Sequence, residues 1–73
     1  MITCKLSAVL GERRIKVSEV VKDTGIARAV VDRWYHDKAN SYDRDVLGRL
    51  CSYLEVTPGE LLQVIEQGNL FKD

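Results

Sequence analysis

The chain has 73 residues, enough for one small domain, and its 45% hydrophobic residues can supply a single core. The formal net charge is zero, which argues against a strongly basic nucleic-acid binder. There is no signal peptide and no apolar run near the roughly 18 residues that a membrane span needs, so we expect a domain that neither crosses nor binds a membrane.

The charge is unevenly distributed along the chain. Residues 1–49 contain ten Lys and Arg against seven acids, a net charge of +3, whereas residues 50–73 contain one Lys against four acids, a net charge of −3. Such an asymmetry is typical of a basic working face opposite an acidic one.

Catalytic and metal-binding patterns are missing from the sequence. Cys4 and Cys51 lie beside apolar residues, which predicts small buried side chains in a reducing, cytoplasmic compartment. One histidine, His36, and two isolated cysteines give no metal-ligand spacing, and no glycine-rich phosphate loop follows a strand. We therefore expect no enzyme, no cofactor, no metal and no small-molecule ligand.

Helical spacing dominates the chain and predicts an all-α fold. Residues 1–5 are a ragged lead-in or a brief strand. Helix 1 follows from about Lys5, with Leu6, Val9 and Leu10 at helical spacing, and Ile15 closes that segment.

Residues 17–35 predict two short helices that meet at a glycine. Apolar residues at 17, 20, 21 and 24 place one face on helix 2, about Val17–Thr24. Gly25 can adopt the left-handed backbone that ends a helix. Helix 3 follows at about residues 27–35, with Arg28 and Arg33 off its apolar stripe. This is the layout of a DNA-binding helix-turn-helix, although an ordinary helical hairpin has the same pattern.

Helix 4 is predicted to begin after a loop at residues 36–42, with Asp43 as its N-cap. Gly48 lies inside this helix, where it costs about 1 kcal/mol relative to alanine, and it suggests close helix packing. The buried stripe of helix 4 is Val46, Leu47, Leu50, Cys51 and Leu54.

The sequence Thr57-Pro58-Gly59-Glu60 is the clearest helix start, because it combines a cap residue, a proline at the first position and a capping-box glutamate. Helix 5 is predicted to continue through Leu61, Leu62 and Ile65. The alternative is that Val64 and Ile65 become extended and pair with residues 2–4. We treat residues 1–73 as one domain whose tail, 67–73, is frayed.

The order and spacing of these features over about residues 6–65 resemble the Cro/repressor-type (XRE) helix-turn-helix family of transcriptional regulators, especially its small stand-alone members. The resemblance implies a compact five-helix domain that binds double-stranded DNA in a prokaryotic or phage-type cytoplasm, associated with the nucleoid when bound. It depends on Val20-Val21, Thr24-Gly25-Ile26, Val31, Trp34, Leu47, Leu50-Cys51, Leu54 and residues 56–62.

The same resemblance places helix 3 in the major groove and assigns DNA contacts by position. Arg28 can donate to guanine O6 and N7 together, which is worth about 1–3 kcal/mol of discrimination. Asp32 either accepts from a cytosine amine or forms a local ion pair with Arg28, and we favour the ion pair. The implied base-reading residues are Ala27, Arg28, Ala29, Asp32 and Arg33. The implied phosphate contacts are Lys16, Val17, Lys38, Asn40, Ser41, Tyr42 and Arg44.

A monomer of this size cannot bury enough duplex for useful specificity, so we expect a homodimer on two half-sites about 34 Å apart. The available apolar residues for such an interface are Leu62, Ile65, Leu70 and Phe71, although they could instead complete the core of the monomer. The competing hypothesis is a protein-binding adaptor, an antitoxin or anti-repressor, which the neutral net charge favours.

Overall fold

The computed structural model describes residues 1–65, which form five helices and a two-stranded antiparallel sheet. The prediction of a helical domain with a terminal β pairing is confirmed. In chain order the elements are β1 (Ile2–Cys4), α1 (Leu6–Arg13), α2 (Val17–Thr24), α3 (Arg28–Tyr35), α4 (Arg44–Leu54), α5 (Pro58–Leu61) and β2 (Leu62–Val64).

The helix-turn-helix consists of α2 and α3, joined at Gly25. This glycine has a φ of 75°, and its N–H donates to the carbonyl of Val21 at 3.0 Å. The hydroxyl of Thr24 donates to the carbonyl of Val20 at 2.6 Å and accepts from the amide of Ile26 at 3.2 Å. The predicted turn at Thr24-Gly25-Ile26 is therefore stabilised by hydrogen bonds of these three residues.

The core lies where α2 packs against α3 and α4 and where α1 packs against α3, and Trp34 is its largest buried side chain. The Trp34 ring meets Tyr42 edge to face, with ring centroids 5.0 Å apart. Cys4 is buried and Cys51 is half-buried, both as free thiols, and burial raises the pKa of each. The buried residues are Cys4, Leu6, Val9, Leu10, Val20, Ile26, Val31, Trp34, Leu50, Leu54, Val56 and Leu61.

The starts of α4 and α5 follow the predicted capping chemistry. Asp43 accepts from the amides of Asp45 and Val46 at 3.1 and 3.0 Å. Thr57 and Glu60 form the reciprocal capping box, with each side chain accepting from the other residue's amide. A Cβ built at Gly48 meets no atom within 4 Å, so the expectation of close helix packing there is wrong.

Helix 5 is shorter than its apolar spacing predicts, and its continuation through Leu62 and Ile65 is wrong. The carbonyl of Leu61 accepts from the amide of Lys5 at 2.7 Å, and the amide of Ile65 donates to the carbonyl of Met1 at 2.8 Å. These two groups would bond to each other in a continued helix, but here they bond to the residues on either side of β1.

The alternative pairing is the one that forms. Residues 62–64 become a strand in which Val64 lies opposite Ile2 and Leu62 opposite Cys4. The predicted frayed tail and two of the proposed interface residues, Leu70 and Phe71, lie outside the described residues. Within residues 1–65 no helix is long and apolar enough to cross a bilayer.

Candidate nucleic-acid interface

One side of α3 is anchored in the core and the other is exposed. Val31 and Trp34 are buried, whereas Arg28, Ala29 and Arg33 are exposed. At about 100° per residue, positions 28, 29, 32 and 33 fall within an arc of roughly 140° on the side away from the buried pair. This exposed face therefore contains four of the five predicted base-reading residues.

The fifth predicted base-reading residue, Ala27, is the N-cap of α3. Its carbonyl accepts from the amides of Val30 and Val31, but its methyl side chain makes no capping hydrogen bond. The N-terminal amides of α3 consequently have no side-chain acceptor and are available to an external acceptor.

The predicted ion pair between Arg28 and Asp32 is present on this face. Nε of Arg28 lies 3.7 Å from Oδ2 of Asp32, with side chains that are 63% and 44% exposed. An exposed pair at this spacing contributes only about 0.3–0.5 kcal/mol to stability, so the fold depends little on this ion pair.

A groove between α3 and the following loop brings base-reading and phosphate candidates together. Arg33 lines one side of this groove, and Asn40 and Ser41 line the other. Lys38 and Arg44 are also exposed, one in the loop and the other at the start of α4. The polar loop predicted after helix 3 therefore lies beside α3.

Two of the predicted phosphate contacts have side chains that are half-buried, whereas the others are exposed. The ring of Tyr42 is half-buried against Trp34, and burial raises the pKa of its hydroxyl. The side chain of Val17 packs against the core, which leaves only its backbone amide to meet a phosphate. This amide lies at the N-terminus of α2, after the exposed Lys16.

The carboxylate of Glu19 stabilises this end of α2 by accepting from the Lys16 amide at 3.0 Å. This is one half of a capping box. Lysine has no side-chain acceptor, so the other half cannot form.

Asp37 fixes the loop, and the sequence prediction did not single it out. Its φ is 56°, and its carboxylate accepts from the hydroxyl of Thr3 at 2.8 Å and from the amide of Cys4 at 2.9 Å. These bonds lower the pKa of Asp37, the larger effect coming from the Cys4 amide. The only local signal was that aspartate tolerates a left-handed backbone.

Polar contacts from α4 hold α2 in place, and these too were missed. Nη1 of Arg49 donates to the carbonyl of Thr24 at 3.3 Å, and its Nε lies 3.0 Å from Oδ2 of Asp45. The hydroxyl of Tyr53 donates to Asp23 at 2.7 Å, which raises the pKa of Tyr53. Arg49 and Tyr53 therefore bind the C-terminal end of α2 to α4.

The apolar surface of the described chain is concentrated on the β ribbon, which we define as β1 and β2 with Met1 and Ile65. Leu62 packs against the protein's own core. Over residues 1–65 the large hydrophobic side chains that are exposed all belong to this ribbon: Met1 (64%), Ile2 (48%), Val64 (68%) and Ile65 (42%).

Metal binding finds no support in the part of the chain that the structure describes. Residues 1–65 contain no group of three His, Cys, Asp or Glu side chains that could hold an ion.

Comparison with known proteins agrees with this geometry. The family model for the Cro/C1-type HTH DNA-binding domain matches residues 5–67. The solved structure of a candidate DNA-binding protein from Bacteroides fragilis has the same fold, with a TM-score of 0.74 and 22% identity, over 86% of this chain and all of that one. No curated protein matches the chain. Since the family model spans most of the sequence, the chain belongs to the Cro/C1-type helix-turn-helix DNA-binding domains.

Proposed function

We propose that the protein regulates transcription by binding a specific sequence in double-stranded DNA, with α3 in the major groove. The observation that carries this proposal is the outer face of α3, where Arg28 and Arg33 are exposed while Val31 and Trp34 hold the opposite side in the core. The major groove of B-form DNA admits a helix presented in this way.

Base reading would begin at the N-terminus of α3, the end that lies nearest the base edges in this type of domain. Arg28 occupies the first helical position and can bind guanine O6 and N7. Ala27 and Ala29 can contact thymine methyl groups. Arg33 lies farther along and reaches either a base or a phosphate, and Asp32 is the carboxylate between the two arginines.

Phosphate contacts would flank the recognition helix on both sides. The loop after α3 and the first residue of α4 supply Lys38, Asn40, Ser41, Tyr42 and Arg44. The N-terminus of α2 supplies Lys16 and the amide of Val17, where the helix dipole favours an anion. Such contacts set the register of the protein on the duplex and make binding salt-dependent.

We further propose that the protein binds as a homodimer on two half-sites about 34 Å apart. The exposed apolar residues of the β ribbon support this, because Ile2 and Val64 lie opposite each other and Ile65 follows directly. Leu62 was also predicted at this interface, but here its contacts are with the core. Leu70 and Phe71 stay in the proposal as sequence predictions.

The cellular setting we propose is a prokaryotic or phage-type cytoplasm, with the protein on the nucleoid when bound. Cro/C1-type domains are DNA-binding modules and are not enzymes.

Selection of duplexes from a random pool by the purified protein tests the proposal. We expect enrichment of a sequence with two related halves, bound with an affinity that falls steeply as salt rises. A pool that stays unenriched, together with no duplex binding at low salt, would overturn the proposal in favour of the protein-binding adaptor.

A further inference from the structure

We infer that Asp32 positions Arg28 for base recognition, and that this aspartate trades general DNA affinity for discrimination. The inference rests on the proposed function. It concerns a residue that acts through another, since Asp32 would hold the side chain that touches the base.

The atoms in contact leave the recognition edge of Arg28 unused. Asp32 meets Nε of the guanidinium, at 3.7 Å from Oδ2. The two terminal nitrogens remain, and these carry the donors that match guanine O6 and N7. An ion pair through Nε therefore favours one orientation of the side chain without occupying the atoms that would read the base.

Exposure explains why the pair matters for binding more than for folding. Both side chains are in contact with water in the free protein, where an ion pair is weak. When a duplex excludes that water, the same contact strengthens, because the effective dielectric constant falls. Arg28 would also lose less conformational freedom on binding than an unrestrained arginine would.

The location of Asp32 has an electrostatic cost. A carboxylate on the face that approaches DNA repels the phosphates of every duplex, whatever its sequence. Removal of this charge should therefore raise affinity for all duplexes and, if Asp32 positions Arg28, lower discrimination at the base that Arg28 reads. These two opposite effects distinguish positioning from simple charge repulsion, which changes affinity alone.

A carboxylate outside the proposed interface provides a control. Glu12 is exposed on α1, and no DNA contact is assigned to it. Glu12→Gln removes the same unit of negative charge as Asp32→Asn. It should change affinity uniformly and leave base preference unaltered.

The experiment measures dissociation constants for the best duplex from the selection and for single-base variants of it. For Asp32→Asn we expect a rise in affinity for unrelated duplexes and a roughly three- to tenfold loss of discrimination at the base that Arg28→Ala also relaxes. Asp32→Glu, which keeps the charge at this position, should restore part of the discrimination. Thermal melting of each variant checks that the domain is folded.

A double-mutant comparison decides the mechanism. In an Arg28→Ala background, Asp32→Asn should cause no further loss of discrimination, because the positioned side chain is gone. Unchanged discrimination in Asp32→Asn overturns the inference, as does a loss at a different base that adds to that of Arg28→Ala. If the wild-type protein prefers no sequence, the proposed function itself has failed, and the two failures are thereby told apart.

Discussion

Oδ2 of Asp37 accepts a 2.8 Å hydrogen bond from the hydroxyl of Thr3, which ties the loop after α3 to strand β1. The other carboxylate oxygen accepts from the amide of Cys4. The residue next to Asp37 is Lys38, a proposed phosphate contact. One side chain thus connects the β ribbon, our proposed dimer surface, to the loop expected to lie on the DNA backbone.

This contact makes stability depend on pH in a defined direction. The pKa of Asp37 in the folded state is lowered from its ordinary value of 3.8 by the Cys4 amide and the Thr3 hydroxyl. A lowered folded-state pKa means that the contribution is present above the unfolded-state pKa and is lost as pH falls through the folded-state value.

We therefore predict that Asp37→Asn lowers the free energy of unfolding at pH 7, and that the gap from wild type narrows below about pH 4. Asparagine tolerates the same left-handed backbone, so the substitution removes the charge and one of the two acceptor oxygens without straining the chain. Urea unfolding at several pH values measures the difference in the free energy of unfolding between the variant and the wild type. A gap that stays constant down to pH 2 would show that the charge of Asp37 is not involved.

Some features of the fold could be predicted because their causes are local. Asp43 and Thr57 cap helices through amides two or three residues away, and Gly25 turns the chain within one residue. The exposure of Arg28 and Arg33 follows from helical periodicity. These parts of the candidate site therefore follow from short-range rules.

Other features depend on contacts between distant residues, which spacing does not reveal. Leu61 and Ile65 fit a helical pattern, but their backbone groups bond to Lys5 and Met1. Nη1 of Arg13 donates to the carbonyl of Leu54 across the molecule. Asp37 meets β1 more than 30 positions away in the sequence. Tertiary packing selects each of these arrangements over its local alternatives.

Two helices end in a left-handed residue that is not glycine. Arg14 and Glu55 end α1 and α4 with φ values of 55° and 56°. No Gly or Asn marks either position, so the usual end signal is missing from the sequence.

Alanine substitutions at three glycines, two inside helices and one at the turn, should change the free energy of unfolding in opposite directions. Gly11 and Gly48 lie in α1 and α4, and a Cβ at either meets nothing within 4 Å. Alanine at each position should therefore raise the free energy of unfolding by about 0.5–1 kcal/mol. Gly25→Ala should lower it by about 1–2 kcal/mol, since φ there is 75°. Thermal melting checks all three, and destabilisation by Gly48→Ala would refute the open environment of that site.

Arg28→Ala tests base reading directly. We expect a loss of about 1–3 kcal/mol in binding to the preferred duplex, with relaxed preference at one base pair. The loss should be smaller on unrelated duplexes, because these lose only the attraction between the Arg28 charge and the phosphates and not the base contact. Repeating the selection with the variant gives the answer, and an unaltered consensus sequence would remove Arg28 from the recognition set.

Lys38→Ala tests the phosphate role of the loop. Affinity should fall for all duplexes alike, and the slope of log K against log salt should flatten by about one unit. Lys22 is an exposed lysine of α2 that has no assigned DNA contact, so Lys22→Ala is the matched charge control. Equal effects from both substitutions would indicate a general charge effect, and a sequence-selective effect of Lys38→Ala would make it a base reader.

Val64→Asp tests the β ribbon as a dimer surface. Val64 is 68% exposed and lies opposite Ile2, so an aspartate there should leave the monomer folded while placing a charge in the proposed apolar interface. We expect the dimer dissociation constant to rise at least about tenfold by analytical ultracentrifugation, with weaker binding to a two-half-site duplex. Val64→Thr, which keeps the β-branched shape at the same position and adds no charge, should change both quantities much less. If Val64→Asp remains as dimeric as the wild type, the subunits associate through another surface, because a buried carboxylate without a partner could not be accommodated in this one.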